Sequence, residues 1–139
     1  MNDLRSLQAI IWDMDGVLID SLPTHVEAWL PILQRYGYNY TYEEMIPLFG
    51  MTDATVLRSI SGGRFSENEV ASLTHEKEIC YQELIQKKTE PLPGVVKWLN
   101  NFHKAGMKQA LASSSDRTSI SIILNSLGIY PFFNAIVSG

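Results

Sequence analysis

The sequence predicts an α/β protein with an incomplete parallel sheet of about three strands and an all-helical segment inserted after the first strand. Three short apolar stretches have the composition of buried parallel strands and are too short for helices. They are residues 9–12, 109–112 and 135–137. Helical patterns separate them, as the crossover connections of a parallel sheet require. We therefore expect a core of residues 1–20 and 89–139, interrupted by a helical domain of residues 21–88.

The first predicted strand ends in two acids. Asp13 and Asp15 follow it directly, and residues two apart on an extended chain point to the same side. Both are expected in the crevice where open α/β sheets bind ligands, at the carboxyl ends of the strands. Two carboxylates there repel each other unless they share a proton or hold a hard divalent cation such as Mg²⁺. With a cation in place, one aspartate is available as a nucleophile and the other as a proton shuttle.

The simplest alternative is a strand that ends in a polar turn, where Asp and Gly are common anyway. Gly16 follows the second acid. A glycine here lets the chain turn sharply and brings backbone N–H groups close to a bound anion. We therefore assign Gly16 to the predicted anion-binding loop.

The inserted segment 21–88 contains only helical patterns. Its first helix begins after Ser21, and Pro31 is expected to kink or split that helix. Two capping boxes mark further helix starts. They are Thr41 with Glu44 and Ser66 with Glu69. The second box opens a long amphipathic helix to about Lys88, with an apolar face predicted from helical spacing. That face comprises Val70, Leu73, Ile79, Leu84 and Ile85.

The chain returns to the core pattern after residue 90. A helix over 95–105 leads to the second strand, which ends in the run Ser113 to Asp116. Because parallel strands end at the same edge, Ser113 is expected near the two acids. Its hydroxyl, together with Ser114 and the N–H groups of a helix start, forms an anion site. The alternative is plain N-capping of that helix by Ser114 or Ser115.

Composition limits the possible partners. The chain has 139 residues, 45% of them hydrophobic, and a net charge of −4. Its mild acidity, without clustered Lys and Arg, argues against a nucleic-acid partner. A single cysteine, Cys80, excludes an intramolecular disulfide. No apolar run approaches the roughly 20 residues that span a bilayer, and residues 1–5 do not resemble a secretory signal. We expect a cytoplasmic protein without a membrane partner.

The string Asp13–Ser21 is similar to the first signature of the haloacid-dehalogenase-like superfamily, D-x-D-G-x-L-x-D-S. The resemblance implies a Rossmann-like core with a helical cap and a magnesium-dependent phosphoryl transfer. It makes Asp13 the nucleophile and Asp15 the general acid/base. It also implies that Mg²⁺ is held by the side chain of Asp13 and the backbone carbonyl of Asp15. Leu111 to Ser113 resembles the second signature of the same superfamily.

Several residues of the insertion resemble the β-phosphoglucomutase-like branch of that superfamily. In that branch a histidine corresponding to His25 helps control proton transfer, and Lys77 resembles a lysine of the cap. A packed histidine and a solvated lysine are the ordinary alternatives. The segment 49–53 resembles the cap loop that tests the leaving group, which adds Gly50 and Thr52 to the candidate substrate-binding residues. Asp53 departs from the pattern, because the mutases carry an arginine there that grips a second phosphate.

The resemblance therefore implies a phosphohydrolase acting on a small phosphorylated metabolite through an aspartyl-phosphate, as part of a longer parent enzyme. A sugar-phosphate mutase and a non-catalytic interaction fragment are the alternatives. The superfamily's third and fourth signatures, a lysine and an acidic pair, have no match up to Gly139. Without the strands that carry them, the first strand would expose a hydrophobic edge to pairing with a second chain or with the missing half.

Overall fold

A computed structural model of the chain describes residues 7–139. Three strands are present: β1 (Ala9–Trp12), β2 (Lys108–Ala112) and β3 (Ala135–Val137). The helices are α1 (Leu22–Arg35), α2 (Tyr42–Met45), α3 (Asp53–Ser61), α4 (Glu67–Lys88), α5 (Val95–Lys104) and α6 (Arg117–Ser126). Short 3-10 turns cover Ile46–Leu48 and Tyr130–Phe132. The predicted α/β class with three parallel strands is confirmed.

The three strands form one parallel sheet in the order β1-β2-β3. Trp12 is in register with Leu111, and Leu111 with Ile136, so the strands end together. The connection from β1 to β2 contains α1 to α5, and the connection from β2 to β3 contains α6. The loops that follow the strands therefore leave the sheet at one edge.

The composition of β1 predicts a strand buried on both faces, and this is wrong for the described residues. β1 lies at the edge of the sheet, and its side chains alternate between exposed and half-buried. Ile11 is 74% exposed. Trp12 packs its ring against that of Phe102 of α5 at a centroid distance of 6.0 Å, so α5 covers the face of β1 to which Trp12 points, while Ile11 points to the other face. The expected hydrophobic edge is thus observed.

The described residues divide into two compact units, residues 7–21 with 88–139 and residues 22–87. In the first unit, the fully buried core combines the turn after β1 with β2, α5 and α6. Its largest members are Met14, Leu18, Ile19, Leu99, Leu111, Ile120 and Ile123. Gln109 is a buried polar residue there, and hydrogen bonds satisfy its side-chain amide. It accepts one from Trp12 Nε1 at 3.0 Å and donates one to the Leu99 carbonyl at 3.0 Å.

The second unit is helical and has its own hydrophobic core, to which α1, α3 and α4 all contribute. Buried side chains include Trp29, Leu33, Leu57 and Leu73. Both predicted capping boxes are confirmed, because each pair exchanges the two expected hydrogen bonds. Of the kink or split expected at Pro31, the split is not observed, because α1 continues through Pro31 to Arg35. Pro31 is exposed, so the carbonyl that loses its N–H partner lies where water can reach the helix.

The buried face of α4 differs from the predicted apolar face. Ile79 is 46% exposed because it lies out of phase with the buried positions. Lys77 and Tyr81 occupy the positions between Leu73 and Ile85, and each is 1% exposed. A solvated lysine was the ordinary expectation for this helix, and the structure places that lysine inside the unit instead.

No helix among residues 7–139 has the length and apolar character needed to cross a membrane.

Candidate active site

Asp13 leaves the end of β1 with its side chain exposed. Its Oδ1 accepts a hydrogen bond from the backbone N–H of Met14 at 2.7 Å, which fixes the rotation of the carboxylate. Within residues 7–139, no donor bonds the other oxygen, Oδ2. Asp13 therefore presents one carboxylate oxygen that a cation or an electrophilic phosphorus atom can approach.

Asp15 is half-buried, and neighbouring hydroxyl groups hold its carboxylate. Ser21 Oγ donates to Oδ1 at 2.5 Å, and Ser115 Oγ donates to Oδ2 at 3.4 Å. Ser21 itself is fully buried. Since Ser115 lies beyond β2, this contact joins the loops after the first and second strands, as the shared sheet edge predicts. The carboxylate is thus restrained at both oxygens.

The turn between the two acids and Ser21 is built by backbone hydrogen bonds. The Met14 carbonyl accepts bonds from the N–H groups of Val17, Leu18 and Ile19, and Gly16 N–H donates to the Ile19 carbonyl at 2.7 Å. Gly16 has a φ of +74°, a conformation that other residues adopt only with strain. The glycine therefore has a conformational reason to follow Asp15.

The serine run after β2 forms a tight turn anchored to β3. Ser113 N–H donates to the Val137 carbonyl at 3.1 Å, and Ser113 Oγ accepts from Ser115 N–H at 3.1 Å. Ser114 is exposed. Ser113 and Ser114 thus lie on the loop that Ser115 connects to Asp15.

The alternative in which Ser114 or Ser115 caps the following helix is wrong. The N-cap of α6 is Asp116, whose carboxylate accepts from the N–H groups of Thr118 and Ser119. A carboxylate is an equally good acceptor and also complements the positive end of the helix dipole. The hydroxyls of Ser114 and Ser115 therefore do not cap α6.

The oxygen donors of this loop suit Mg²⁺, which is commonly bound through one or two carboxylates and keeps several waters. Asp13 supplies its Oδ2, and no N–H among residues 7–139 bonds the backbone carbonyl of Asp15. Those residues contain no cluster of three or more His, Cys, Asp or Glu side chains suited to a metal. The residues present thus fit a magnesium ion with an incomplete protein ligand set.

The second unit brings His25 and Lys77 together. Lys77 Nζ lies 2.8 Å from His25 Nδ1 and 2.9 Å from Asp53 Oδ2. The His25 ring stacks on Tyr81 at a centroid distance of 4.0 Å and an interplanar angle of 11°. Burial, and then the nearby Lys77 charge, lower the pKa of His25 from 6.5 to about 3. This histidine is therefore neutral at physiological pH.

The remaining predicted residues lie on the loop before α3. Gly50 is exposed with a φ of +93°, which a glycine tolerates without strain. Thr52 is the N-cap of α3, and its hydroxyl accepts from Thr55 N–H. The ring of the neighbouring Phe49 lies 5.9 Å from that of His25. Thr52 thus has a structural role that its position in the loop did not indicate.

Three contacts were missed at the level of the sequence. The hydroxyls of Ser21 and Ser115 were not predicted to hold Asp15, and Asp53 was interpreted as a repelling charge instead of a partner of Lys77. Ser21 is part of the signature itself, so its spacing from Asp15 was an available signal. The partners Asp53 and Lys77 are 24 residues apart, and no local pattern links them.

These features define an α/β protein of the kind that binds ligands where the parallel strands end. The chain belongs to the haloacid dehalogenase-like hydrolase family, whose model matches residues 10–139.

Similar proteins include enzymes acting on sugar phosphates. The chain is 29% identical over 129 residues to the fructose-1-phosphate phosphatase YqaB of Escherichia coli, covering 93% of this chain and 68% of the relative. It is 33% identical over 138 residues to the β-phosphoglucomutase of Bacillus subtilis, covering 94% and 60%. The crystal structure of β-phosphoglucomutase from Clostridium difficile superposes with a TM-score of 0.80 at 29% identity, again covering 94% and 60%. The chain therefore spans about two thirds of the length of these relatives.

Proposed function

We propose that this chain carries the nucleophile and the general acid/base of a magnesium-dependent phosphohydrolase acting on a small phosphorylated metabolite. The supporting observation is the loop after β1, in which Asp13 exposes a carboxylate oxygen while Ser21 and Ser115 restrain Asp15. We further propose that residues 1–20 and 89–139 serve as the catalytic core and residues 21–88 as the cap that selects the substrate.

In the proposed reaction an Asp13 oxygen attacks phosphorus and forms an aspartyl-phosphate, while the bond from phosphorus to the leaving oxygen breaks. Asp15 gives that oxygen its proton. Asp15 then takes a proton from water, which attacks the aspartyl-phosphate and releases inorganic phosphate. The hydroxyls of Ser113 and Ser114 supply hydrogen-bond donors for the phosphoryl oxygens. Gly16 shapes the loop beside them, because its own N–H is bonded to the Ile19 carbonyl. When bound, Mg²⁺ would offset the charge of the carboxylate and the phosphate.

The test uses the full-length protein that contains this chain, with p-nitrophenyl phosphate and sugar monophosphates as substrates. We expect hydrolysis that requires Mg²⁺ and falls by about 10³-fold or more in Asp13→Asn, because the amide is a poor nucleophile. Acid quenching should trap a phosphorylated protein in the wild type and none in Asp13→Asn. Glu90→Gln, which removes an exposed carboxylate from the linker, is the matched control. Full activity in Asp13→Asn would refute the assignment.

A β-phosphoglucomutase-type isomerase is the second candidate. The 33% identity to the enzyme of Bacillus subtilis favours it, whereas the acid at Asp53, in place of the mutases' arginine, argues against it. Interconversion of glucose 1-phosphate and glucose 6-phosphate without release of inorganic phosphate would establish the mutase. No turnover in either assay would leave a non-catalytic interaction role.

A further inference from the structure

The helical unit contains a lysine that is almost completely buried. Lys77 is 1% exposed, and its ammonium nitrogen lies 5.1 Å from the ring centroid of Tyr81 and 6.0 Å from that of Trp29. The ammonium group is also within hydrogen-bond distance of His25 Nδ1 and Asp53 Oδ2. Burying an ammonium group is costly unless a counter-charge and hydrogen-bond acceptors compensate it. The residues around Lys77 therefore have to supply both a counter-charge and hydrogen-bond acceptors.

Two carboxylates face the ammonium group of Lys77. Asp53 Oδ2 lies at 2.9 Å, within hydrogen-bond distance, and Glu78 Oε2 lies at 3.9 Å. The side chain of Asp53 is 30% exposed and that of Glu78 is 28% exposed, so both are comparably accessible to water. Because Asp53 is the closer of the two, it is the principal counter-charge of Lys77. Glu78 faces the same ammonium group from farther away, so its substitution is a matched control for substitution of Asp53.

The state of Lys77 decides which nitrogen of His25 carries the proton. An ammonium group has donors and no acceptor, so Nδ1 at 2.8 Å must accept the hydrogen bond. The ring of a neutral histidine then carries its proton on Nε2. Stacking on Tyr81 fixes the plane of the ring. If Lys77 were neutral instead, Nδ1–H could donate to it and the tautomer would reverse.

We infer that Asp53 is a positioning residue, which keeps Lys77 charged and thereby locks His25 as a neutral imidazole with its proton on Nε2. His25 then offers a hydrogen-bond donor to an acceptor oxygen, such as that of a phosphate or a carboxylate. It does not act as a proton acceptor. This inference is independent of the proposed reaction. It gives Asp53 a role inside the helical unit that the sequence pattern did not suggest.

The lowered pKa of His25 agrees with this arrangement. Burial of the ring is its larger cause, and the second cause is the Lys77 charge, which a proton on Nδ1 would meet directly. The titratable groups in contact with the ring are Lys77 and the phenol of Tyr81. Asp53 and Glu78 act on the ring indirectly, because both face the ammonium group of Lys77. Of all these groups, Lys77 is in direct hydrogen-bond contact with the imidazole.

The first experiment measures the ring ¹⁵N and ¹H signals of His25 in the full chain by NMR. We expect one tautomer, Nε2–H, with no titration between about pH 5 and 8, the range in which ordinary histidines change charge. The exposed His75 and His103 provide reference signals in the same spectra. A proton on Nδ1, a mixture of tautomers, or a titration of His25 inside that range would overturn the inference.

The second experiment compares substitutions of the two carboxylates. In Asp53→Asn we expect the single tautomer of His25 to be lost, whereas Glu78→Gln should keep the wild-type signals. Asp53→Glu should restore the Nε2–H form. Wild-type His25 signals in a folded Asp53→Asn would show that Asp53 has no such role.

If Asp53→Asn does not fold, a double variant takes its place. Asp53→Asn with Lys77→Met removes both charges and should fold, because no ammonium remains without its partner. His25 should then titrate at a higher pH than in the wild type. Failure of the double variant to fold would overturn the assignment of Asp53 as the counter-charge.

Discussion

The Lys77–Asp53 pair should respond unequally to loss of its two members. Asp53→Asn leaves an ammonium group that is 1% exposed without its counter-charge, whereas Lys77→Met leaves a carboxylate that is 30% exposed and can be solvated. A methionine is unbranched and flexible, so it can fill the space between Trp29 and Tyr81. We therefore expect Asp53→Asn to destabilise the helical unit more than Lys77→Met does.

The expected magnitudes follow from the burial of each partner. Removing one member of a fully buried ion pair costs about 3–5 kcal/mol, and the partial exposure of Asp53 reduces this to about 2–3 kcal/mol for Asp53→Asn. Replacement of Lys77 by an apolar side chain of similar length should change stability by about 1 kcal/mol or less. The double variant should resemble Lys77→Met, which gives a coupling energy of about 2 kcal/mol.

Hydrogen exchange of the α4 amides measures this difference within the helical unit. A loss of 2–3 kcal/mol corresponds to exchange faster by about 30- to 150-fold for the most protected amides in Asp53→Asn. Glu78→Gln, which removes a carboxylate at 3.9 Å from the same ammonium, should change exchange by less than about 3-fold. Equal effects of Asp53→Asn and Lys77→Met would refute the reasoning, because the ammonium would then not depend on its counter-charge.

Three further predictions concern capping, a buried amide and pH. Asp116→Ala should lower the free energy of unfolding by about 1 kcal/mol in a urea titration, because Asp116 is the N-cap of α6. Ser114→Ala should leave that free energy unchanged. A larger decrease in Ser114→Ala than in Asp116→Ala would show that the serine is the cap. Gln109→Leu should cost about 1–3 kcal/mol in the same assay, because the indole N–H of Trp12 loses its buried acceptor, and an unchanged midpoint would contradict this. The pKa of His25 is 6.5 in the unfolded chain and about 3 in the native state, so lowering the pH protonates His25 in the unfolded chain first. The free energy of unfolding of the helical unit should therefore fall by about 1–2 kcal/mol between pH 7 and 5. His25→Gln should abolish that decrease, and hydrogen exchange of the α1 amides at both pH values measures it.

The sequence predicted the elements of this fold because their signals are local. Apolar runs ending in polar turns indicated the three strands, and the boxes Thr41 with Glu44 and Ser66 with Glu69 placed two helix starts correctly. Asp13 and Asp15 were recognisable as a site because spacing along an extended chain determines which side chains share a face. The parallel order of the strands then required Ser113 to arrive at the same edge.

The contacts between distant residues had to come from the tertiary structure. A lysine on a helix is ordinarily solvated, and only the packing of α1 and α3 against α4 turns Lys77 inward and gives it His25 and Asp53 as partners. The burial of β1 likewise depends on which strands lie beside it, so the apolar composition of Ala9–Trp12 could not reveal an exposed Ile11. The sequence by itself determined which residues could do chemistry. The tertiary structure decided which of them meet, because burial and ion pairing depend on neighbours that are remote along the chain.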